Sequence, residues 1–183
     1  MLRFNFNIEK AISSVKLILK NLDGSSDLHK VFKILYFAEQ KHLSLYGRPI
    51  IGDKYIAMKH GPVPSTIYDI IKILRGESFF TLPSNMILDE QFRVIDNHVI
   101  QLKNDEFDIE VFSETEIECL SEAINENKNL DFVALTEKSH DLAWKNTERD
   151  DEMSVYEIAK AAGANSELLK YIALQIENSN VCV

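Results

Sequence analysis

Three side chains of this sequence are suited to proton transfer near neutral pH: His60, His140 and Asp141. An imidazole titrates close to physiological pH, and a carboxylate beside it would fix its tautomer and hold its proton. Catalysis also needs a nucleophile or a metal, and the chain carries neither Gly-x-Ser-x-Gly nor His-Glu-x-x-His. The simpler reading has His140 and Asp141 capping a short helix on which Trp144 packs against the segment around His60. Changes at the histidines would then cost stability more than turnover. Cys119 and Cys182 have no second Cys or His at metal-ligand spacing. The expectation is a chain with no catalytic residue, metal or cofactor, and no disulfide framework.

A second kind of chemistry is recognition by a preorganised surface. Lys59 and His60 lead into Gly61, Pro62, Val63 and Pro64. The prolines fix φ and remove donors, and the glycine permits a sharp turn, so this stretch reads as a stiff, shaped loop. Such a loop loses little entropy on meeting a partner. Upstream, Gly47, Arg48 and Pro49 form a turn, followed by Gly52 and Asp53. Arg48, Pro49, Asp53, the 59–64 loop, His140, Asp141 and Trp144 are therefore the residues expected to contact a partner or support the contact.

A third possibility lies in residues 154–177, which read as helix, glycine-containing turn and helix. Ala159 and Gly163, with Ile158, Leu169 and Ile172 inward, have the spacing of a closely packed helix-turn-helix. A recognition helix, however, offers Arg, Lys, Asn or Gln to bases and phosphates. Ser166, Glu167, Lys170 and Gln175 give a nearly neutral face, so a DNA-binding regulator is the alternative rather than the leading reading.

The elements that must position these residues can be read from periodicity. Residues 7–22 place Ile8, Ala11, Ile12, Val15, Ile18, Leu19 and Leu22 on one helical face. A second helix spans 26–46 with Ser26 as its cap and is apolar on more than one side, which suggests burial at the centre. Residues 53–59 alternate as a strand, 65–74 form a helix, and 79–89 give no clear assignment. Residues 92–102 read as a hairpin turning at Asp96 and Asn97, and with the strand at Tyr55 would make a three-stranded antiparallel sheet. Ser113 and Glu116 form a capping box for a helix that carries Ile117, Leu120 and Ile124 inward. Short helices follow over 131–136, 139–144 and 154–162. The last, 166–177, would bury Leu168, Leu169, Ile172 and Ile176 before a frayed tail at 178–183. The fold class is α+β: a mainly α-helical single domain, 1–183, with a small antiparallel sheet made of a hairpin plus one strand.

Composition bounds the partners. The chain has 183 residues, 45% of them hydrophobic, and a formal charge of −9. That balance argues against a protein that coats nucleic acid, although a local basic patch stays open. The acidic runs at 104–110 and 147–152 would steer a basic partner toward the surface. No apolar run approaches the roughly 20 residues of a membrane span, and the N-terminal stretch lacks a signal-peptide pattern, so a soluble, cytoplasmic protein is expected.

Taken together, Leu35-Tyr36-Phe37-Ala38, Gly47-Arg48-Pro49, the His60-to-Pro64 loop, the segment from Ser139 to Trp144, and Ala159 to Gly163 resemble the Panacea domain in order and spacing. This is the SocA-like antitoxin family, often phage-associated. The resemblance covers nearly the whole chain. It implies a cognate toxin protein as partner, with a protease or chaperone as an accessory if the toxin is delivered for destruction rather than covered. It leaves open which toxin, which surface and which oligomeric state. Some members carry a separate N-terminal DNA-binding domain, and its absence here means that operon self-repression is not implied.

Overall fold

Asn7 accepts a hydrogen bond from the Lys10 amide and starts helix α1, Ile8–Lys20, whose Ala11, Val15, Ile18 and Leu19 are buried at the predicted three- and four-residue steps. This architecture is that of a computed structural model, which describes residues 4–77 and 88–179. Asp23 and Gly24, both at positive φ, end the helix and turn the chain into strand β1, Ser25–Asp27. The cap of helix α2, Leu28–Tyr46, is therefore Asp27, which accepts from the Lys30 amide at 2.8 Å, and not Ser26. Ser26 is committed to pairing with Ile100, and a carboxylate at the helix start is the better complement to its dipole.

Helix α2 is the axis of the fold. Most of its positions are buried, and the later helices of 114–127, 132–139, 155–161 and 166–179 pack on it. Gly47, at φ 69, closes it in the left-handed conformation. There follow β2, Tyr55–Met58, and β3, Gly61–Pro64, then α3, Ser65–Leu74. After the short α4, Leu88–Gln91, come β4, Phe92–Ile95, and β5, Val99–Leu102. The turn between them holds Asp96 and Asn97 at positive φ, as expected of that hairpin.

A 3-10 turn, Ile109–Val111, precedes α5, Glu114–Asn127, which has the predicted capping box. Leu120 and Ile124 are fully buried, whereas Ile117 is only partly so. The remaining helices are α6, Phe132–Ser139; α7, Leu142–Lys145; α8, Val155–Ala161; and α9, Ser166–Ser179. Among the described side chains of α9 only Ile172 is fully buried, with Leu168, Leu169 and Ile176 packed at the core margin. Helix α9 is continuous through the residues where fraying was expected to begin; 180–183, like most of 79–89, lie outside the described residues.

The class is α+β and mainly helical, but the strands are grouped differently from the expectation. The 92–102 hairpin takes β1 as its third strand, in the order β1-β5-β4, while β2 pairs with β3. The other edge of β2 is occupied by 150–153: Asp150 N donates to Ala57 O at 2.9 Å, Ala57 N to Asp151 O at 2.9 Å, and Met153 N to Tyr55 O at 2.8 Å.

Candidate functional site

The stretch read as a stiff loop is mostly strand. Only Lys59 and His60 form the turn, because Met58 already pairs with Gly61 across the hairpin. Pro62 and Pro64 stand opposite Ala57 and Tyr55, whose backbone groups are turned toward 150–153. The missing proline N–H groups thus fall where the ladder asks for no donor, which is how two prolines fit into four strand residues.

The hairpin is held from beneath by three helices. From α2, Lys33 Nζ donates to Pro62 O at 2.8 Å. From α7, Trp144 Nε1 donates to Met58 O at 3.0 Å. Also from α2, His29 Nε2 lies 3.3 Å from His60 O and 3.0 Å from the Thr136 hydroxyl on α6. Phe132 of α6 stacks on His29 at 4.1 Å and meets His60 edge-on at 5.4 Å. Burial pushes His29 down to about 4, so it packs as a neutral ring.

Lys33 is 1% exposed, and among the described residues no carboxylate lies within ion-pair distance of it. Burial lowers its ammonium to about 7, so near neutral pH it passes between charged and neutral forms. The sequence signal was a lysine inside an otherwise apolar face of α2, and nothing in the spacing showed that it would lie under Gly61.

Asp141 is fully engaged, but not by a histidine. Its Oδ1 accepts the Trp144 amide at 3.0 Å and caps α7, while Oδ2 accepts Tyr36 Oη at 2.8 Å and Gln40 Nε2 at 2.6 Å. His140 instead lies flat on Trp144, ring centroids 3.6 Å apart. Burial, aided by the charge of Lys33, lowers its basicity. The capping and packing roles expected for Asp141 and Trp144 are therefore formed, and the acid-base pair imagined for His140 and Asp141 is not.

Arg48, Pro49 and Asp53 sit elsewhere. Asp53 accepts the amides of Thr66 at 2.9 Å and Ile67 at 3.0 Å, capping α3 in place of Pro64, which has no side-chain acceptor. Arg48 is exposed, and its carbonyl accepts from His42 Nδ1 at 2.7 Å. Pro49 and Asp53 line a small cavity of about 110 Å³ with Glu39 and Tyr55. Glu39 accepts the Ile50 and Ile51 amides at 2.7 and 2.9 Å, and burial raises it to about 7 despite those donors. The candidate residues thus form two groups at the two ends of β2, one around the hairpin tip and one around this cavity. Among the described residues no cluster of three or more His, Cys, Asp or Glu side chains is placed to hold a metal.

The α8–α9 pair is a helical corner. Ala159 is fully buried, but a Cβ on Gly163 would meet nothing within 4 Å. Gly163 therefore serves the turn, at φ 87, and not the close packing expected of it. The outward face of α9 carries Tyr171 and Leu174 beside Glu167 and Lys170, an unsuitable set for reading bases. Large apolar side chains are also exposed on the two short helices α6 and α7: Phe132, which meets His60, at 49%, Val133 at 60% and Leu142 at 65%.

A family model described as Antitoxin SocA-like, Panacea domain matches residues 31–145, a span that runs from α2 through α7 and contains both groups. No curated protein and no solved structure matches the chain.

Proposed function

Since the chain belongs to the antitoxin SocA-like, Panacea domain family, we propose that it neutralises a cognate toxin by direct binding and does so without catalysing a reaction. The observation that carries this reading is the hairpin tip: a two-residue turn fixed by α2 and α7 with the exposed Phe132 against His60, while Val133 and Leu142 are exposed on the helices α6 and α7 that hold the hairpin. Apolar and aromatic groups presented on a rigid support lose little entropy on docking, as a protein-binding surface requires. The protein would act in the cytoplasm with no cofactor. Among the described residues no helix is long and apolar enough to cross a membrane.

Co-expression tests the proposal. The gene beside this one is expressed alone and then together with this protein, and growth and co-purification are followed. Growth arrest relieved by the pair, with a stable complex, is the expected outcome. Relief without a complex replaces direct binding by delivery of the toxin to a protease or chaperone. Arrest that this protein fails to relieve counts against the antitoxin role for that pair.

A further inference from the structure

Two clefts flank Lys59 at the hairpin tip. One, about 340 Å³, is walled by Phe32, Met58, Val63 and Tyr68 and reaches Arg149 and Asp150. The other, about 380 Å³, is lined by Trp144, Lys145 and Thr147 as well as Lys59 and Arg149. Arg149 reaches this place because 150–153 pairs with β2, so the run that looks acidic in the sequence delivers its one arginine beside Lys59.

The charge is opposite to that of the whole chain. Against a formal −9, the clefts are rimmed by Lys59, Lys145 and Arg149, all exposed, and among the described residues Asp150 is the only carboxylate lining either one. Among the described residues Lys59 and Lys145 have no carboxylate within ion-pair distance, and Arg149 has only the exposed Asp150 at 3.8 Å. Exposed cations around an aromatic floor, two of them without an ion-pair partner among the described residues, attract carboxylates and offer a dry place for a neighbouring apolar side chain. Three cations on an acidic chain make a poor track for a phosphate backbone, whose binding sums many such contacts.

We propose that this saddle is a docking site for an acidic segment of a protein partner, its carboxylates meeting Lys59, Lys145 and Arg149 and an adjoining apolar side chain entering the cleft lined by Phe32, Met58, Val63 and Tyr68. The proposal deepens the toxin-binding reading and rests on it for the partner's identity. It reverses the expectation that acidic runs of this chain steer a basic partner.

Trp144 is the only tryptophan of the chain and lines the saddle, so its emission reports occupancy. The full-length protein is titrated with an acetylated, amidated Asp-Glu-Phe-Glu-Asp peptide, with its Lys-Arg-Phe-Lys-Arg counterpart, and with oligothymidine. A saturable response to the acidic peptide is expected, weakened about tenfold in a Lys59→Glu/Arg149→Glu variant of unchanged circular dichroism. A Lys20→Glu/Lys160→Glu variant, altered at exposed positions away from the clefts, should bind as wild type. No saturable response, an equal response to the basic peptide, or undiminished binding by the Lys59/Arg149 variant would overturn the proposal, and tighter binding of oligothymidine would overturn it in favour of nucleic acid. In the co-expression assay the same double variant should lose rescue. Rescue retained by the variant refutes this site while leaving the antitoxin role standing. A wild-type protein that fails to rescue counts against that role, and the peptide titration still decides the saddle.

Discussion

Gly61 and Lys33 meet with no space between them: a Cβ on Gly61 would lie 2.9 Å from Lys33 Cε and 3.1 Å from Nζ, and would collide with Ser139 Oγ. The glycine is also at φ 97, where an L side chain is strained. The hairpin can approach the buried lysine this closely only because residue 61 has no side chain.

Gly61→Ala should therefore destabilise the protein by about 2–4 kcal/mol, combining backbone strain with displacement of Lys33 or Ser139. Gly76→Ala supplies the comparison, because Gly76 is also at positive φ, at 71, but a Cβ there meets nothing within 4 Å. Strain alone should cost it about 1 kcal/mol. Urea denaturation of the two variants checks the difference, and equal losses would show that contact with Lys33 and Ser139 is unimportant.

Stability should depend on pH in two opposed intervals. Glu39, raised to about 7, keeps its proton in the folded state over a range where the unfolded chain has lost it, so its contribution falls as pH rises from about 4.5 to 7. Lys33, lowered to about 7, has lost its proton in the folded state while the unfolded chain still holds one, so its contribution grows as pH rises from about 7 to 10.5. Relative to wild type, Glu39→Gln should flatten the first slope and Lys33→Met the second, each by on the order of a few kcal/mol across its interval. Unfolding free energies measured from pH 5 to 10 decide this, and parallel profiles for wild type and variant would contradict the assignment.

Asp141→Ala should cost about 2–4 kcal/mol, since it removes the cap of α7 and leaves the proton of the buried Tyr36 hydroxyl without its acceptor, Gln40 being only a donor to that oxygen. Asp141→Asn keeps an acceptor for the Trp144 amide and should lose less. A loss of Trp144 fluorescence anisotropy in the alanine variant alone would locate the damage in α7, and equal stability of the two variants would argue against a capping role.

Asp53→Ala should cost about 1–2 kcal/mol by exposing the first amides of α3, which Pro64 cannot satisfy. Amide exchange at Thr66 and Ile67 provides the check. It should accelerate in Asp53→Ala and remain slow in Lys54→Ala, whose side chain takes no part in the cap.

The sequence by itself determined the local elements, because their causes lie within a few residues. The spacing of Ala11, Val15, Ile18 and Leu19 made α1, Ser113 with Glu116 capped α5, and Asp96-Asn97 turned the hairpin. The motif pattern also carried the family resemblance that the match over 31–145 bears out. What only the tertiary structure decided depends on residues distant in the chain. That β5 takes β1 and not β2 as its neighbour is not readable from Ser25–Asp27, a short polar segment without apolar alternation; it becomes a strand only through its pairing with Val99–Gln101. That Lys33 lies beneath Gly61, that Asp141 binds Tyr36 and Gln40 in place of His140, and that Arg149 stands beside Lys59 each require two segments to be brought together by a shared core. Backbone pairing and burial set these meetings, and neither is written in the spacing of one segment.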